Sequence, residues 1–385
     1  MFEHNTIDLD ILKRRAYNLR WATVPDGVIP LTAADPDFPC APEIAAAITK
    51  YTSDRYMCYT PSEGLPEFKE AMADYFGNKR NVTTQPSLIF PVDSAASGIY
   101  ITCRAFLKPG DEAIIFDPVD FLFRYSVEAI GATAVPFAIP QGSASVDFGL
   151  METLVTPKTK MLCLCNPLNP TGKVFTREEL SEFARIAIKY NLIILSDEIW
   201  SDIIFAPHTF TSIASLNEET RQHTVTITGF SKSYGLAGLR IGAVMASNQA
   251  HFSKLMDASL HNSTIHGANV LGQVAATAAL TQCGYWLNGF LNHLHQMRDL
   301  CVKGLNEIAG FSCIAPEGCY VALADIRGTG KSSKEITEQM INEAKVSIVP
   351  GLPQWFGNGA EGYVRLSFAT SATILEEALQ RMKKY

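Results

Sequence analysis

Five short runs in the middle of the chain, EAIIFDP (112–118), KMLCLCNP (160–167), NLIILSDE (191–198), TVTITGF (224–230) and IGAVMA (241–246), are apolar almost throughout, and each stops at a turn or a polar residue. A strand with one wet face alternates apolar and polar side chains, so runs without alternation are buried on both faces. Amphipathic stretches lie between them. The clearest starts at Thr176, which forms a T-x-x-E capping box with Glu179, and carries Leu180, Phe183, Ala184, Ala187 and Ile188 along one helical stripe. Buried strands alternating with helices predict an α/β fold, with a large domain whose mainly parallel sheet is sandwiched by helices. The C-terminal third reads as a smaller α/β domain. It has a helix and strand in KEITEQMINEAKVSIVPG, a strand in EGYVRLSFA and a closing helix in ATILEEALQRMKKY. At 385 residues the chain is long for one compact core. The expected division is a large domain over 45–284 and a small one formed by 1–44 and 285–385.

Composition narrows the function classes. With 47% apolar and 18% charged residues the chain can bury a large core. A net charge of -7 without a basic stripe or a Lys/Arg run longer than KRR (13–15) argues against nucleic acid as a partner. No run approaches the ~18 apolar residues of a membrane span. The opening MFEHNTIDLDILKRR lacks the basic and apolar regions of a signal peptide, so a cytoplasmic protein is expected. Nine cysteines, without CxxC pairs or histidines at ligand spacing, predict reduced thiols and no metal site. RGTGKSS (327–333) has the look of a phosphate loop, but that pattern requires a glycine where Asp325 stands. It is read as a turn before a helix.

Ligands of open parallel sheets bind at the carboxyl ends of the strands, and three of these strands end in chemistry. KMLCLC runs into NPLNPTG with Asn169, LIILSDE ends with Asp197, and TVTITGF runs into Lys232. In GFSKSYGLAGLRIG the surroundings of Lys232 are small and apolar, which disfavours its charged form and leaves an amine able to attack an aldehyde. A carboxylate such as Asp197 can hold a proton on a pyridine nitrogen. Arg240 can take a phosphate, and Ser94, Ala95 and Ala96 open a helix after SLIFPV where backbone N–H groups can approach the same anion. Each part fits pyridoxal 5'-phosphate.

The ordered set YTPSEGLPEF, NPLNPTG, SDEIWSD, SKSYGLAGLRIG and VRLSF resembles the fold-type I pyridoxal-phosphate enzymes, specifically the class I/II aminotransferase family, over nearly the whole chain. The resemblance implies that Lys232 forms the internal aldimine and moves the α-proton. It implies that Asp197 pairs with the pyridinium nitrogen and that Asn169 bonds the ring hydroxyl beside the substrate. Arg240, Ser231 and the Ser94–Ala96 backbone are implied to bind the phosphate, and Arg365 the substrate's α-carboxylate as a bidentate fork. Tyr59 is implied to reach the phosphate of the neighbouring subunit, in a homodimer with shared sites.

Three positions depart from that pattern. Trp200 stands where the family has a tyrosine at the cofactor, Gly229 replaces a phosphate-binding serine, and Asp120 stands where an aromatic stacks on the ring. Phe121 and Phe123 are the candidates to take over that stacking. A carboxylate at Asp120, beside the substrate, favours a cationic side chain, and Trp200 favours chemistry other than plain transamination. With ADPDF and GYWLNGFLNHL (284–294), these features resemble the family's β-cystathionase-like C–S lyases and its capreomycidine-synthase-like hydroxyarginine cyclodehydratases. The expectation is therefore an enzyme acting on a free L-amino acid, by β/γ-elimination with dehydration and ring closure of an arginine-like substrate. Transamination and C–S β-elimination are the alternatives. A cofactor-binding regulator is disfavoured, because no basic helix-turn-helix precedes the fold.

Overall fold

The computed structural model describes residues 1–139 and 146–385. All five apolar runs are strands of one sheet, joined by two more. In chain order these are β1 (Ile89–Val92), β2 (Glu112–Asp117), β3 (Thr133–Ala138), β4 (Thr159–Cys165), β5 (Ile193–Asp197), β6 (Thr224–Gly229) and β7 (Gly242–Met245). They lie side by side as β1-β7-β6-β5-β4-β2-β3. β7 alone runs antiparallel to its neighbours. Its connection from β6, residues 230–241, contains Lys232 and is spent on a cavity-lining loop rather than on the helical crossover a parallel return needs. The sequence gives little sign of β3. It is an edge strand containing Pro136, which lacks a ladder donor and is tolerated only where no further strand pairs.

Two helices position the site. α1 (Ala95–Phe106) follows β1, and α2 (Arg177–Lys189) joins β4 to β5. The capping box of α2 is formed on both sides: Glu179 N–H donates to Thr176 Oγ1 at 3.2 Å, and Thr176 N–H donates to Glu179 Oε2 at 2.9 Å. Leu180, Phe183, Ala184 and Ala187 are buried as the stripe requires. Ile186 is buried and Ile188 only partly so, and the 3-10 turn Ile213–Ser215 and the helix Glu218–His223 also pack against α2.

The smaller unit holds a four-stranded antiparallel sheet of Ser312–Cys313, Val321–Asp325, Val349–Pro350 and Tyr363–Ser367. The long helix α3 (Gly284–Asn306) and the closing helix α4 (Ala372–Met382) pack together beside it. The single strand expected in KVSIVPG is two pieces. Val346–Ser347 pairs in parallel with Ile29–Pro30, and Val349–Pro350 pairs with Tyr363–Ser367. RGTGKSS is a 3-10 turn, Arg327–Thr329, leading to the Ser332-capped helix Ser333–Gln339. Seven of the nine cysteines are buried. Among the described residues no helix is long and apolar enough to cross a membrane.

A buried ion pair ties the N-terminal segment to the site. Arg20 donates to Asp37 Oδ1 at 2.5 Å and to the Ala33 carbonyl at 3.3 Å, and Trp21 Nε1 donates to the same Asp37 oxygen at 2.8 Å. This ties residues 20–21 to the 33–37 segment, which carries the Ala34 carbonyl. Removing one member of a buried pair leaves an uncompensated charge, so loss of either Arg20 or Asp37 is expected to destabilise this segment.

Candidate active site

The carboxyl ends of β1, β4, β5 and β6 open on one cavity of about 320 Å³. Thirteen of the residues singled out from the sequence line it: Ser94, Ala95, Ala96, Asp120, Phe121, Phe123, Asn169, Asp197, Trp200, Ser231, Lys232, Arg240 and Arg365. Tyr59 does not. It is 87% exposed and packs edge-on against His266 at 4.6 Å.

At one end of the cavity, Ser94 caps α1 in extended conformation. Its hydroxyl accepts from Ser97 N at 3.1 Å, while Ser97 Oγ accepts from Ser94 N at 3.0 Å. The first-turn N–H groups of Ala95 and Ala96 have no intrahelical acceptor, and with the helix dipole they form an anion cradle. β7 passes close behind. A Cβ on Gly242 would meet Ala95 N at 3.0 Å and Thr228 O at 2.8 Å, so only glycine lets the strand reach the helix start. Arg240, in left-handed conformation (φ 50°, ψ 69°) after the turn Ala237–Leu239, and Ser231 complete this end.

Asp197 lies buried at the end of β5. One oxygen accepts from Ile199 N at 3.1 Å, and among the described residues no cationic side chain pairs with it. Burial raises it to about 7, with the negative charges of Asp120 and Glu198 adding and Lys232 opposing. A buried carboxylate without a cation is costly, so this site is built to receive a ligand that brings a cationic donor. Lys232 Nζ donates to the Ala34 carbonyl at 2.6 Å and lies 5.3 Å from the Trp200 ring centre. Burial pulls its pKa down, Asp35 opposes, and Arg365 adds to the lowering. Trp200 packs edge-on against Tyr320 at 4.7 Å, and the Tyr320 hydroxyl donates to the same Ala34 carbonyl at 3.0 Å.

At the other end a polar chain crosses the cavity wall. Arg365 Nη1 donates to Asn169 Oδ1 at 3.0 Å, and Asn169 Nδ2 donates to Asp120 Oδ2 at 2.8 Å. Arg365 Nη2 donates to the Thr32 carbonyl at 3.2 Å, its guanidinium lies 5.0 Å from the Phe356 ring centre, and its buried Nε has no partner. Burial lowers the Arg365 pKa and Asp120 opposes that; the guanidinium stays charged. Phe121 and Phe123 both reach the cavity. Phe123 is fully buried in the core beneath, and Phe121 packs edge-on against Trp355 at 5.7 Å.

Several contributors escaped notice in the sequence, Asp35, Trp355 and Phe356 among them. Asp35, raised by burial and opposed by Lys232, comes from the ADPDF segment, where an acid among small residues was the available signal. Trp355 and Phe356 come from GLPQWFG, an apolar loop with no periodicity to mark it.

Glu198, next to Asp197, turns away from the cavity lining. It accepts from Ser212 Oγ at 2.6 Å and Ser196 Oγ at 3.1 Å, and its Oε2 is buried without a partner. Burial raises it from 4.5 to about 7. The folded state therefore keeps a proton that the unfolded chain releases. This stabilisation is complete below pH 4.5 and is lost as pH rises through about 7. Glu198→Gln is expected to flatten the fall of melting temperature across that window, and equal slopes in both proteins would remove Glu198 as its source.

The donor set fits pyridoxal 5'-phosphate. It offers an anion cradle at a helix start, a buried carboxylate lacking a cation, and an amine with depressed pKa between them. The family model for aminotransferase class I and II matches residues 26–382. The YugH protein of Bacillus subtilis is 35% identical over 372 residues, covering 94% of this chain and 93% of its own. An aspartate aminotransferase of Pyrococcus abyssi is 33% identical over 363 residues, covering 93% and 91%. The solved aromatic aminotransferase of Pyrococcus horikoshii superposes with a TM-score of 0.86 at 30% identity, covering 94% of this chain and 96% of that one. This chain belongs to the aminotransferase class I and II family and is an enzyme whose cofactor is pyridoxal 5'-phosphate.

Proposed function

We propose that this enzyme is an aminotransferase for aromatic or large apolar L-amino acids. The observation that carries the reading is the wall beyond Arg365, built from Leu19, Phe121, Leu122, Val349, Trp355 and Phe356. Among the described residues the cations lining the cavity are Lys232, Arg240 and Arg365. With Lys232 and Arg240 given to the cofactor, Arg365 takes the α-carboxylate, and no further cation among the described residues of this subunit lines the cavity for a second carboxylate such as aspartate carries. The relatives include enzymes named for aspartate and for aromatic substrates, and the wall favours the second kind. A homodimer in which Tyr59 reaches the neighbouring site belongs to this reading, consistent with its exposure.

When bound, pyridoxal 5'-phosphate supplies an aldehyde that condenses with amines and a ring that accepts the electron pair released at the substrate's Cα. The chain's residues do the rest. The Ala95 and Ala96 N–H groups, Ser231 and Arg240 bind the phosphate, and Asp197 keeps the ring nitrogen protonated. Asn169 has a second N–H for the ring hydroxyl. Lys232 Nζ, held on the Ala34 carbonyl, takes the proton from Cα, and its depressed pKa favours the free amine that does so.

A second reading, dehydration with ring closure of an arginine-like substrate such as hydroxyarginine, draws support from Asp120 and Trp200, which both line the cavity. Against it, both Asp120 oxygens already accept protein N–H groups, Leu122 N at 3.2 Å and Asn169 Nδ2 at 2.8 Å. β-Elimination from sulfur amino acids is the remaining alternative. Mass spectrometry of products from phenylalanine, hydroxyarginine and cystathionine, with and without 2-oxoglutarate, separates these readings. The expected result is a single stoichiometric conversion of phenylalanine to its 2-oxo acid without acceptor and continuous turnover with it. Repeated loss of water from hydroxyarginine without acceptor would replace the proposal by the second reading.

A further inference from the structure

We propose that Asp120 is a positioning residue whose carboxylate sets the orientation of the Asn169 amide and, through it, the guanidinium of Arg365. The inference rests on the reading that Arg365 receives the substrate's carboxylate.

Asn169 lies between an acid and a base. Its Nδ2 donates to Asp120 Oδ2 at 2.8 Å, and its Oδ1 accepts from Arg365 Nη1 at 3.0 Å. In this orientation both bonds are charge-assisted. A flipped amide would set N–H groups against the guanidinium and a carbonyl oxygen against the carboxylate, losing both. Asp120 is itself anchored. Its own N–H donates to the Asn169 carbonyl at 3.1 Å, and its Oδ1 accepts from Leu122 N at 3.2 Å. Two segments 49 residues apart in sequence are thus clamped through main chain and side chain at once. The downstream end of the chain is the functional one. With Nη1 committed to Asn169 and Nη2 to Thr32, the Arg365 fork is held in one plane over Phe356, and Nε is left without a protein partner. Without Asp120, the amide keeps Arg365 as its protein side-chain partner and the ring hydroxyl of the loaded cofactor, but loses the charge-assisted bond that fixes Nδ2, and the amide and the fork can rotate together. A fork that is not held in place loses part of its bidentate advantage for a carboxylate.

Asparagine at position 120 keeps an acceptor. Its amide oxygen can face Asn169, at the expense of the longer bond from Leu122. Alanine keeps none. The test is calorimetric binding to the cofactor-loaded enzyme of two carboxylates that lack the reacting amine, 3-phenylpropanoate and 4-guanidinobutanoate. Asp120→Ala is expected to weaken 3-phenylpropanoate about 10-fold, the scale of one lost hydrogen bond in an oriented chain, and Asp120→Asn to stay within about 3-fold of the parent. Should the alanine protein not fold, Asp120→Val replaces it. Parent-like affinity in the alanine or valine protein overturns the inference. So does an asparagine protein as weak as the alanine one, because charge rather than orientation is then at work. If 4-guanidinobutanoate binds the parent more tightly than 3-phenylpropanoate, the aromatic-substrate reading fails. The inference is then still decided by the ratio of the two variants, since both ligands use the same fork. A loss confined to 4-guanidinobutanoate in both variants means that Asp120 touches the substrate, and the positioning role falls.

Discussion

Lys232→Ala is expected to lower turnover by roughly 10⁴-fold or more, since on the proposed reading it removes both the covalent attachment and the group that moves the proton at Cα. The effect follows from geometry that no neighbour can supply. Nζ is partly buried, held at 2.6 Å by the Ala34 carbonyl and backed by the Trp200 ring. Among the described residues it is the one lysine that lines the cavity. Borohydride reduction followed by intact-mass measurement provides an independent readout. The parent protein gains the mass of one reduced cofactor, and the variant gains none. A covalent adduct retained in the variant would place the attachment on another lysine and undo the assignment of the whole site.

Arg365→Leu is expected to reduce kcat/KM for amino acids by about 10²–10³-fold, mostly through KM, because a buried charged fork contributes roughly 1.5–3 kcal/mol for each hydrogen bond it makes to a carboxylate. Arg365→Lys keeps the charge without the planar fork and is expected to lie between, roughly 10-fold below the parent. The substitution also strips Asn169 Oδ1 of its donor, so circular dichroism and melting should accompany the kinetics. Steady-state kinetics with phenylalanine and with phenethylamine, which lacks the carboxylate, isolate the cause. The variant should lose its advantage for phenylalanine while its slow reaction with phenethylamine stays unchanged. An unaltered KM for phenylalanine would move carboxylate recognition elsewhere.

Much of the architecture was legible because it rests on local periodicity. KMLCLC and NLIILS cannot sit on a half-wet sheet, and the Thr176–Glu179 box announces a helix between them whatever else the chain does. β3 was not legible, since Pro136 hides a strand that exists only because it occupies an edge. Nor was the split of KVSIVPG between two partners, one of which lies more than 300 residues earlier in the chain.

The site divides along the same line. The residue types at the strand ends, an amide, a carboxylate and an amine with an arginine and a small-residue helix start, point to the cofactor by chemistry alone. What each group does depends on partners that only folding brings near. Asn169 meets Arg365 across 196 positions, and Lys232 meets the Ala34 carbonyl across 198. Asp120 illustrates the difference most clearly. In the sequence it is a carboxylate free to attract a cationic substrate, whereas in the folded chain both its oxygens are engaged by Leu122 and Asn169. Sequence by itself determined which strands end in chemistry and the cofactor that chemistry suits, because residue type and spacing are local properties. Tertiary structure decided which charges face the ligand and which face each other, because a buried charge takes its role from its neighbours, and those neighbours lie far away along the chain.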